Sequence, residues 1–360
     1  MEQGINQSSA MGTTIKIGER TIGSGNAVYV IAEVSANHHQ DFDQAAQIIR
    51  AAKDAGADAV KLQTYTADTM TIASNRREFQ IQGTVWDGRH LHDLYREAYT
   101  PWEWQPSLKE IANGLGLDLF SSPFDSTAVD FLESMDVPAY KLASFELVDI
   151  PLIQKMAHTG KPLVMSTGMA TLEEIEEAVQ AAREAGGEQI ALLKCTSAYP
   201  APSEEMNLRT IPELERRFDV PVGLSDHTLG IAVPVAAIAL GASIIEKHLT
   251  LSRSTPGPDS EFSLEPPEFM ALVEAVRVAE KALGTVRFGP GEKESSGKVF
   301  RRSLYVVREV KSGEVFTTEN VRSIRPGLGL HTRHLTEILG RRAACDIARA
   351  TPLSWEMVHR

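Results

Sequence analysis

The stretch VPVGLSDHTLGIAVPVAAIALGASIIEKHLT, residues 220–250, decides the fold. It opens with a β-rich run that ends in Ser225, Asp226 and His227, and closes with a second that ends in Glu246 and His248. Between them an apolar segment runs from Ile231 to Ile245, interrupted by Pro234 and Gly241. A bilayer span takes about 20 apolar residues, so this segment is too short for one. It reads as a buried helix running into a buried strand. Strands that are apolar throughout are covered on both faces, as in a parallel sheet whose crossovers are helices.

The same unit recurs upstream. AVYVIAE (27–33), ADAVKLQ (57–63), LDLFSS (117–122), PAYKLAS (138–144), PLVMST (162–167) and IALLKCT (190–196) are further apolar runs with polar ends. Amphipathic segments separate them, such as DFDQAAQIIRAAKDAG (41–56) and TLEEIEEAVQAAREAGG (171–187). In the second, Thr171 is placed to cap the helix, with Glu174 three residues on and glycine at the end. Eight such alternations predict an α/β fold, a (β/α)8 TIM barrel over residues 14–284. A chain of 360 residues fits one barrel of roughly 250 residues plus a small domain. The run FGPGEKESSGK (288–298) marks a linker over 285–299. Short strands and turns such as SLYVVREV (303–310) then predict a small β-rich domain over 300–360.

The bulk numbers exclude several classes. Apolar residues make up 42% and charged residues 23%, a globular balance. The net charge is −12, and no Lys/Arg cluster with interleaved aromatics occurs, so no nucleic-acid partner is expected. An anionic substrate must then be held by local groups. Cys195 and Cys345 form neither a metal spacing nor a disulfide framework, which points to a reducing cytoplasm. Residues 1–13, MEQGINQSSAMGT, are polar, lack the apolar core of a signal peptide and read as a disordered tail, with Met11 as an alternative start. No membrane association is expected.

Active sites of such barrels lie at the C-terminal strand ends. There the chain places Glu33, then Lys61 and Gln63, Ser121 and Ser122, Lys141 and Ser144, Ser166 and Thr167, Thr196 and Tyr199, Ser225 and His227, and Glu246 and His248. A single serine after a strand is usually a helix cap, but all eight strands contribute. His227 and His248, flanked by Asp226 and Glu246, suit a divalent ion with open positions, Mn2+ or Mg2+, completed by oxygen ligands. Zinc fits less well, because no third nitrogen or sulfur ligand stands out.

A lysine ammonium at the end of an apolar strand is costly unless paired. Lys61 and Lys141 are either internal salt bridges to Glu33 or Glu146, or anion clamps. Lys141 with Ser122, Ser144, Ser166 and Ser225 offers a cation and hydroxyl donors suited to phosphate. Lys61 then suits a carboxylate. Phosphate, carboxylate and metal together describe phosphoenolpyruvate. About forty residues between strand two and the next helix, Thr66 to Trp104, carry Phe79, Trp86, Tyr95, Tyr99, Trp102 and Trp104. Long loops at this end of a barrel build substrate-specific walls.

The ordered motifs IAEVSANH (31–38), VKLQTY (60–65), SSPFD (121–125), VMSTGM (164–169), LKCTSAYP (193–200), GLSDHTLG (223–230), EKHLT (246–250) and PGPDSEFSLEP (256–266) resemble the N-acetylneuraminate synthase family. TTENVRSIRPGLG (317–329) resembles that family's antifreeze-like SAF domain. TVWDGRHLHDLYREAYTPWEW (84–104) and SSPFDSTAVDFLE (121–133) are most similar to its pseudaminic acid synthase branch.

This resemblance implies condensation of phosphoenolpyruvate with an amino sugar, 2,4-diacetamido-2,4,6-trideoxy-L-altrose in that branch. The alternative is an N-acetylneuraminate or legionaminate synthase. The resemblance also implies roles. Lys141, Ser122, Ser144, Ser166 and Ser225 match phosphate-binding positions, and Lys61 a phosphoenolpyruvate lysine. His227 and His248 match metal ligands, and Glu33 the acid that handles the attacking water. Gln63, Tyr199, Glu146 and Asp259 match sugar-facing positions. Arg325 matches an arginine inserted into a partner's site, which implies a domain-swapped homodimer. Phe145, Ser197 and Ala198 depart from N-acetylneuraminate synthases proper and point away from N-acetylmannosamine. Three other readings compete: a Schiff-base aldolase using Lys141 or Lys61, a non-catalytic carbohydrate binder, and a synthase of shorter keto sugars.

Overall fold

The computed structural model describes residues 13–359, so the tail read over residues 1–13 lies almost wholly outside the described residues. Eight parallel strands close into a barrel. In chain order they are β1 (Tyr29–Glu33), β2 (Ala59–Thr64), β3 (Asp118–Pro123), β4 (Tyr140–Leu142), β5 (Leu163–Ser166), β6 (Ile190–Cys195), β7 (Val222–Asp226) and β8 (Ile244–His248). Each pairs with its sequence neighbours, and β8 closes onto β1. The main crossover helices are α1 (Phe42–Asp54), α2 (Gln105–Gly114), α3 (Ser126–Ser134), α4 (Ile150–Ala157), α5 (Leu172–Glu184), α6 (Thr210–Phe218) and α7 (Ala232–Ala239). A final helix, α8 (Pro266–Leu283), follows β8.

Local chemistry explains these elements. In α1, the Asp41 side chain accepts the Gln44 N–H and caps the helix, worth about 1 kcal/mol. Ala45, Ala46, Ile48, Ile49 and Ala52 recur at helical spacing and are buried against the barrel. Truncating Ile48 to alanine would cost about 2–5 kcal/mol. In α5, Thr171 and Glu174 form a reciprocal capping box. A Cβ on Gly223 would lie 2.6 Å from the Ile244 Cβ and 2.7 Å from the Leu193 Cδ2, so a glycine is needed where β6, β7 and β8 fill the barrel floor. At the N-terminal face Arg20 pairs with Asp118 at 2.7 Å, and the Tyr29 hydroxyl donates to the same carboxylate. That face carries stability in barrels of this kind.

The parallel register aligns the functional strand ends. His248 lies beside Glu33, and Glu33 beside Lys61. Gln63 lies beside Ser122, and Glu246 beside Ser225. The segment between β2 and α2 contains two short helices, Ala67–Met70 and Leu91–Ala98, and a bridge pairing Gln80 with His90.

The chain divides into two compact units at Gly284/Thr285. In the second, residues 292–300 form short helical turns. Its two strands, β9 (Ser303–Val306) and β10 (Val321–Ile324), are antiparallel. They pack over a small core of Leu304, Val306, Val310, Phe316, Ile338 and Leu353. The remainder closes through isolated bridges such as Val310 to Ile347 and Ala343 to Val358.

Candidate active site

Side-chain alternation decides what enters the barrel mouth. From β8, Glu246 and His248 point inward while Lys247 points out. Lys247 is fully buried against Asp226 of β7, so Asp226 is a structural counter-ion behind the sheet and does not flank His227 in the site. Ser121 likewise turns outward, to Thr64 at 2.6 Å.

The inward groups form one network. The Lys61 ammonium sits 2.6 Å from the Glu33 Oε2 and 3.7 Å from the Glu246 Oε1. Lys61 also donates to the Ser122 Oγ at 3.2 Å. Lys141 lies 3.9 Å from the same Glu246 oxygen and donates to the Ser166 Oγ at 2.7 Å. Ser225 donates to that oxygen at 3.3 Å. Lys61, Lys141, Glu33 and Glu246 are all buried. Lys61 is therefore paired with Glu33, and the nearest carboxylate to Lys141 is Glu246, not Glu146.

Burial governs the charges. It pushes Glu33 up to about 7, with Lys61 opposing and Glu246 adding to the rise. Burial also disfavours the Glu246 anion, but Lys141 and Lys61 hold its carboxyl below the usual range. Lys61 is disfavoured by burial yet held above its ordinary value by Glu246 and Glu33. Lys141 is lowered, first by burial and then by Lys61, against the pull of Glu246. Two ammonium groups thus share one firmly ionised carboxylate, and the pocket has cationic character to spare.

Beside this network stand the two histidines, their ring centroids 5.5 Å apart. His227 Nδ1 lies 3.0 Å from the Thr196 carbonyl, which fixes the proton there and leaves Nε2 as an acceptor. Burial, then His227, lower His248 well below its ordinary value, so it is a neutral imidazole. Its Nδ1 is buried without a hydrogen-bond partner among the described residues, and 4.0 Å from the Asp259 carboxylate. Glu246 Oε2 is also buried without such a partner. Among the described residues no three His, Cys, Asp or Glu side chains already converge as a ready-made metal cluster. Two nitrogen lone pairs next to unsatisfied carboxylate oxygens fit a divalent ion that keeps positions for water or substrate.

The remaining predicted residues of the barrel unit lie around this centre. Gln63 donates to Glu33 at 3.1 Å and to the Ser35 Oγ at 3.0 Å. Asp259 accepts from the Ser35 hydroxyl and from the Ala36 N–H. Ser144 accepts the Gly168 N–H at 3.1 Å. Tyr199 packs against His227 with ring centroids 4.5 Å apart and the planes tilted by 47°. Glu146 follows β4, and burial pushes its carboxyl up to about 7 against Lys141 and a backbone hydrogen bond. Arg325 belongs to the second unit, where it is exposed just after β10.

Residues 48–288 match the NeuB family, and residues 301–359 match the SAF domain. The chain belongs to the NeuB family. This NeuB-family chain is 47% identical over 320 residues to the pseudaminic acid synthase of Campylobacter jejuni, covering 89% of this chain and 93% of the relative. It is 45% identical over 333 residues to the pseudaminic acid synthase of Helicobacter pylori, covering 92% and 98%. It is 35% identical over 354 residues to an N,N'-diacetyllegionaminic acid synthase of Legionella pneumophila, covering 97% and 99%. Among solved structures, the N-acetylneuraminic acid (sialic acid) synthetase of Leptospira borgpetersenii superposes with a TM-score of 0.71 at 32% identity, over 79% of this chain and 95% of that one.

Several members of this NeuB-family site escape sequence reasoning. Ser35 joins Gln63 to Asp259 from a left-handed turn at φ 45°. Gly168 is required because a Cβ there would overlap the Ser197 hydroxyl and lie 2.7 Å from the Ser144 Oγ. Cys195 is buried 3.9 Å from His227 Nδ1. Phe262 packs 5.0 Å from the His248 ring. All four lie in quoted motifs, Gly168 and Cys195 directly beside Thr167 and Thr196, but none is a residue that the strand-end pattern singles out.

Proposed function

We propose that the protein is a pseudaminic acid synthase. It condenses phosphoenolpyruvate with 2,4-diacetamido-2,4,6-trideoxy-L-altrose and water, and releases phosphate. The observation that carries this is the pair of buried ammoniums sharing Glu246 beside two buried histidines, in a chain 47% identical to the Campylobacter enzyme. Lys141 with Ser166 suits the phosphate, and Lys61 with Ser122 the carboxylate. Both contacts strengthen in a cavity from which water is excluded.

His227 and His248 would hold a divalent ion, Mn2+ or Mg2+, which would supply Lewis acidity toward the sugar's carbonyl oxygen. C3 of the enol phosphate bonds to the aldehyde carbon, whose oxygen takes up the proton that Glu33 relays from water, and C2 becomes an oxocarbenium-like centre. Water adds to C2 and gives its proton to Glu33, whose carboxyl at about 7 is matched to that work near neutral pH. The C2 hydroxyl proton then passes to the departing phosphate as the C–O bond breaks, and the α-keto acid forms. Gln63, Asp259, Tyr199 and Glu146 line the side where the sugar chain extends.

Mass spectrometry of the product settles the substrate. The trideoxy sugar with phosphoenolpyruvate gives the pseudaminic acid mass. N-acetylmannosamine giving the faster product would overturn the proposal in favour of an N-acetylneuraminate synthase.

The enzyme acts in the cytoplasm as a homodimer in which Arg325 reaches the partner's barrel. Among the described residues no helix is long and apolar enough to cross a membrane. Mixing Arg325→Ala with Lys141→Ala protein restores activity if sites are shared in this way, and leaves both dead if each chain is self-sufficient.

A second reading has one observation in its favour. Lys141 is lowered toward the free amine that a Schiff-base aldolase needs. Borohydride in the presence of either substrate leaves Lys141 unmodified under the synthase reading, and traps an adduct under the aldolase one.

A further inference from the structure

The long segment after β2 supplies no group to the phosphate, carboxylate or histidine sites, yet one of its residues reaches the mouth. Residues 80–90 make a short excursion: Ile81 N–H donates to the Arg89 carbonyl at 2.8 Å, and Gly88 N–H to the Ile81 carbonyl at 2.9 Å. Its tip is largely exposed at Gly83, Thr84, Val85 and Asp87. Trp86 alone turns inward, half-buried. Its Nε1–H donates to the Pro258 carbonyl at 2.9 Å, in the loop that carries Asp259. Its ring packs 5.5 Å from Tyr199. Tyr199 in turn packs 4.5 Å from His227 and 5.1 Å from Phe262.

A continuous aromatic wall therefore runs outward from the histidine pair: Phe262, Tyr199, Trp86. Its outer member has no polar group left, because the indole N–H is spent on Pro258. The opposite, inner side of the mouth is the reverse, with Lys61, Lys141, Glu33 and several hydroxyls. A sugar held at its aldehyde end by the polar side has its far carbons along the aromatic side. Aromatic faces suit methyl and acetamido groups and offer nothing to a hydroxyl.

We infer that Trp86 is a specificity-determining residue, the wall that selects a 6-deoxy sugar over its 6-hydroxy counterpart. This rests on the pseudaminic acid synthase reading and names the part of the site that reads the sugar's far end. A methyl-for-hydroxymethyl choice against an apolar wall is worth about 10–100-fold, because such a wall rejects an added hydroxyl only by failing to solvate it. The residue is a tip position on an exposed excursion, so its removal leaves the barrel core untouched.

The test compares wild type, Trp86→Ala and Trp86→Phe on two sugars, 2,4-diacetamido-2,4,6-trideoxyaltrose and its 6-hydroxy analogue, with phosphate release as the readout. Wild type prefers the deoxy sugar about 10–100-fold in kcat/KM. In Trp86→Ala the deoxy value falls and the 6-hydroxy value does not, so the ratio drops to about 1–5. The KM for phosphoenolpyruvate is unchanged. Trp86→Phe keeps the ring and most of the ratio. If both sugars lose equally in Trp86→Ala, the tryptophan only holds the loop and the inference fails while the function stands. A wild-type enzyme that prefers the 6-hydroxy sugar overturns the functional reading itself, and the inference with it.

Discussion

Glu246→Gln tests the centre of the site most directly. Glu246 Oε1 lies 3.7 Å from Lys61 and 3.9 Å from Lys141, and all three side chains are buried. At an effective dielectric of about 20, each attraction amounts to roughly 4 kcal/mol, offset in part by the burial cost of the ions. Removing one partner of such a set leaves an uncompensated buried cation and costs about 3–5 kcal/mol. For a domain of this size that lowers Tm by very roughly 6–15 °C. Glutamine fills the same space, so packing is retained and the loss is electrostatic.

Two signatures distinguish this from ordinary destabilisation. Lys141 is already lowered, and without Glu246 it is lowered further. The unfolded chain then binds more protons between the folded and ordinary lysine values. The variant's stability therefore rises with pH across that window, more steeply than that of wild type. Inorganic phosphate also replaces the missing negative charge, so it raises the variant's unfolding free energy more than it raises that of wild type. Denaturant unfolding of both proteins at pH 7 and pH 9, with and without phosphate, reads all three effects. A variant within about 1 kcal/mol of wild type, with the same phosphate response, refutes the shared-counter-ion account.

Other residues give independent tests. Gly168→Ala forces a methyl against Ser144 and Ser197, and is expected to lower kcat/KM about 10-fold or more through a raised KM for phosphoenolpyruvate, measured by phosphate release. Glu146 titrates near 7 when folded and near 4.5 when unfolded, so the unfolded chain loses its proton first and wild-type stability falls as pH rises from 4.5 to 7. Glu146→Gln removes this penalty and is more stable than wild type above pH 7, by up to about 3 kcal/mol, but equal to it near pH 4. His248→Ala is expected to weaken Mn2+ binding by about 10-fold or more in calorimetric titration, and unchanged affinity would remove His248 from the metal site.

The barrel was legible because each strand is apolar on both faces and each crossover has helical periodicity, properties written in consecutive residues. The ring of polar groups was legible for the same reason: a strand end is a local feature, and Lys61, Lys141, Glu246 and His248 all interrupt apolar runs. What was not legible is direction and partnership. Asp226 and Glu246 look equivalent in sequence, each beside a histidine at a strand end, yet the two-residue alternation sends one behind the sheet to Lys247 and the other into the mouth. The aromatic wall was hidden for a different reason. Trp86 and Pro258 are 172 residues apart, and their hydrogen bond exists only because barrel closure brings the loops after β2 and β8 to one rim. Sequence reasoning could mark the excursion as a wall, because long aromatic loops at this end of a barrel build walls. It could not say which aromatic reaches the mouth, since Trp102 and Trp104 sit on the same segment and turn away, Trp102 onto Phe131 and Trp104 onto Phe42. Chemistry common to a fold's reaction is therefore read along the chain at strand ends, while chemistry that separates one substrate from another is carried by contacts between loops, which only closure creates.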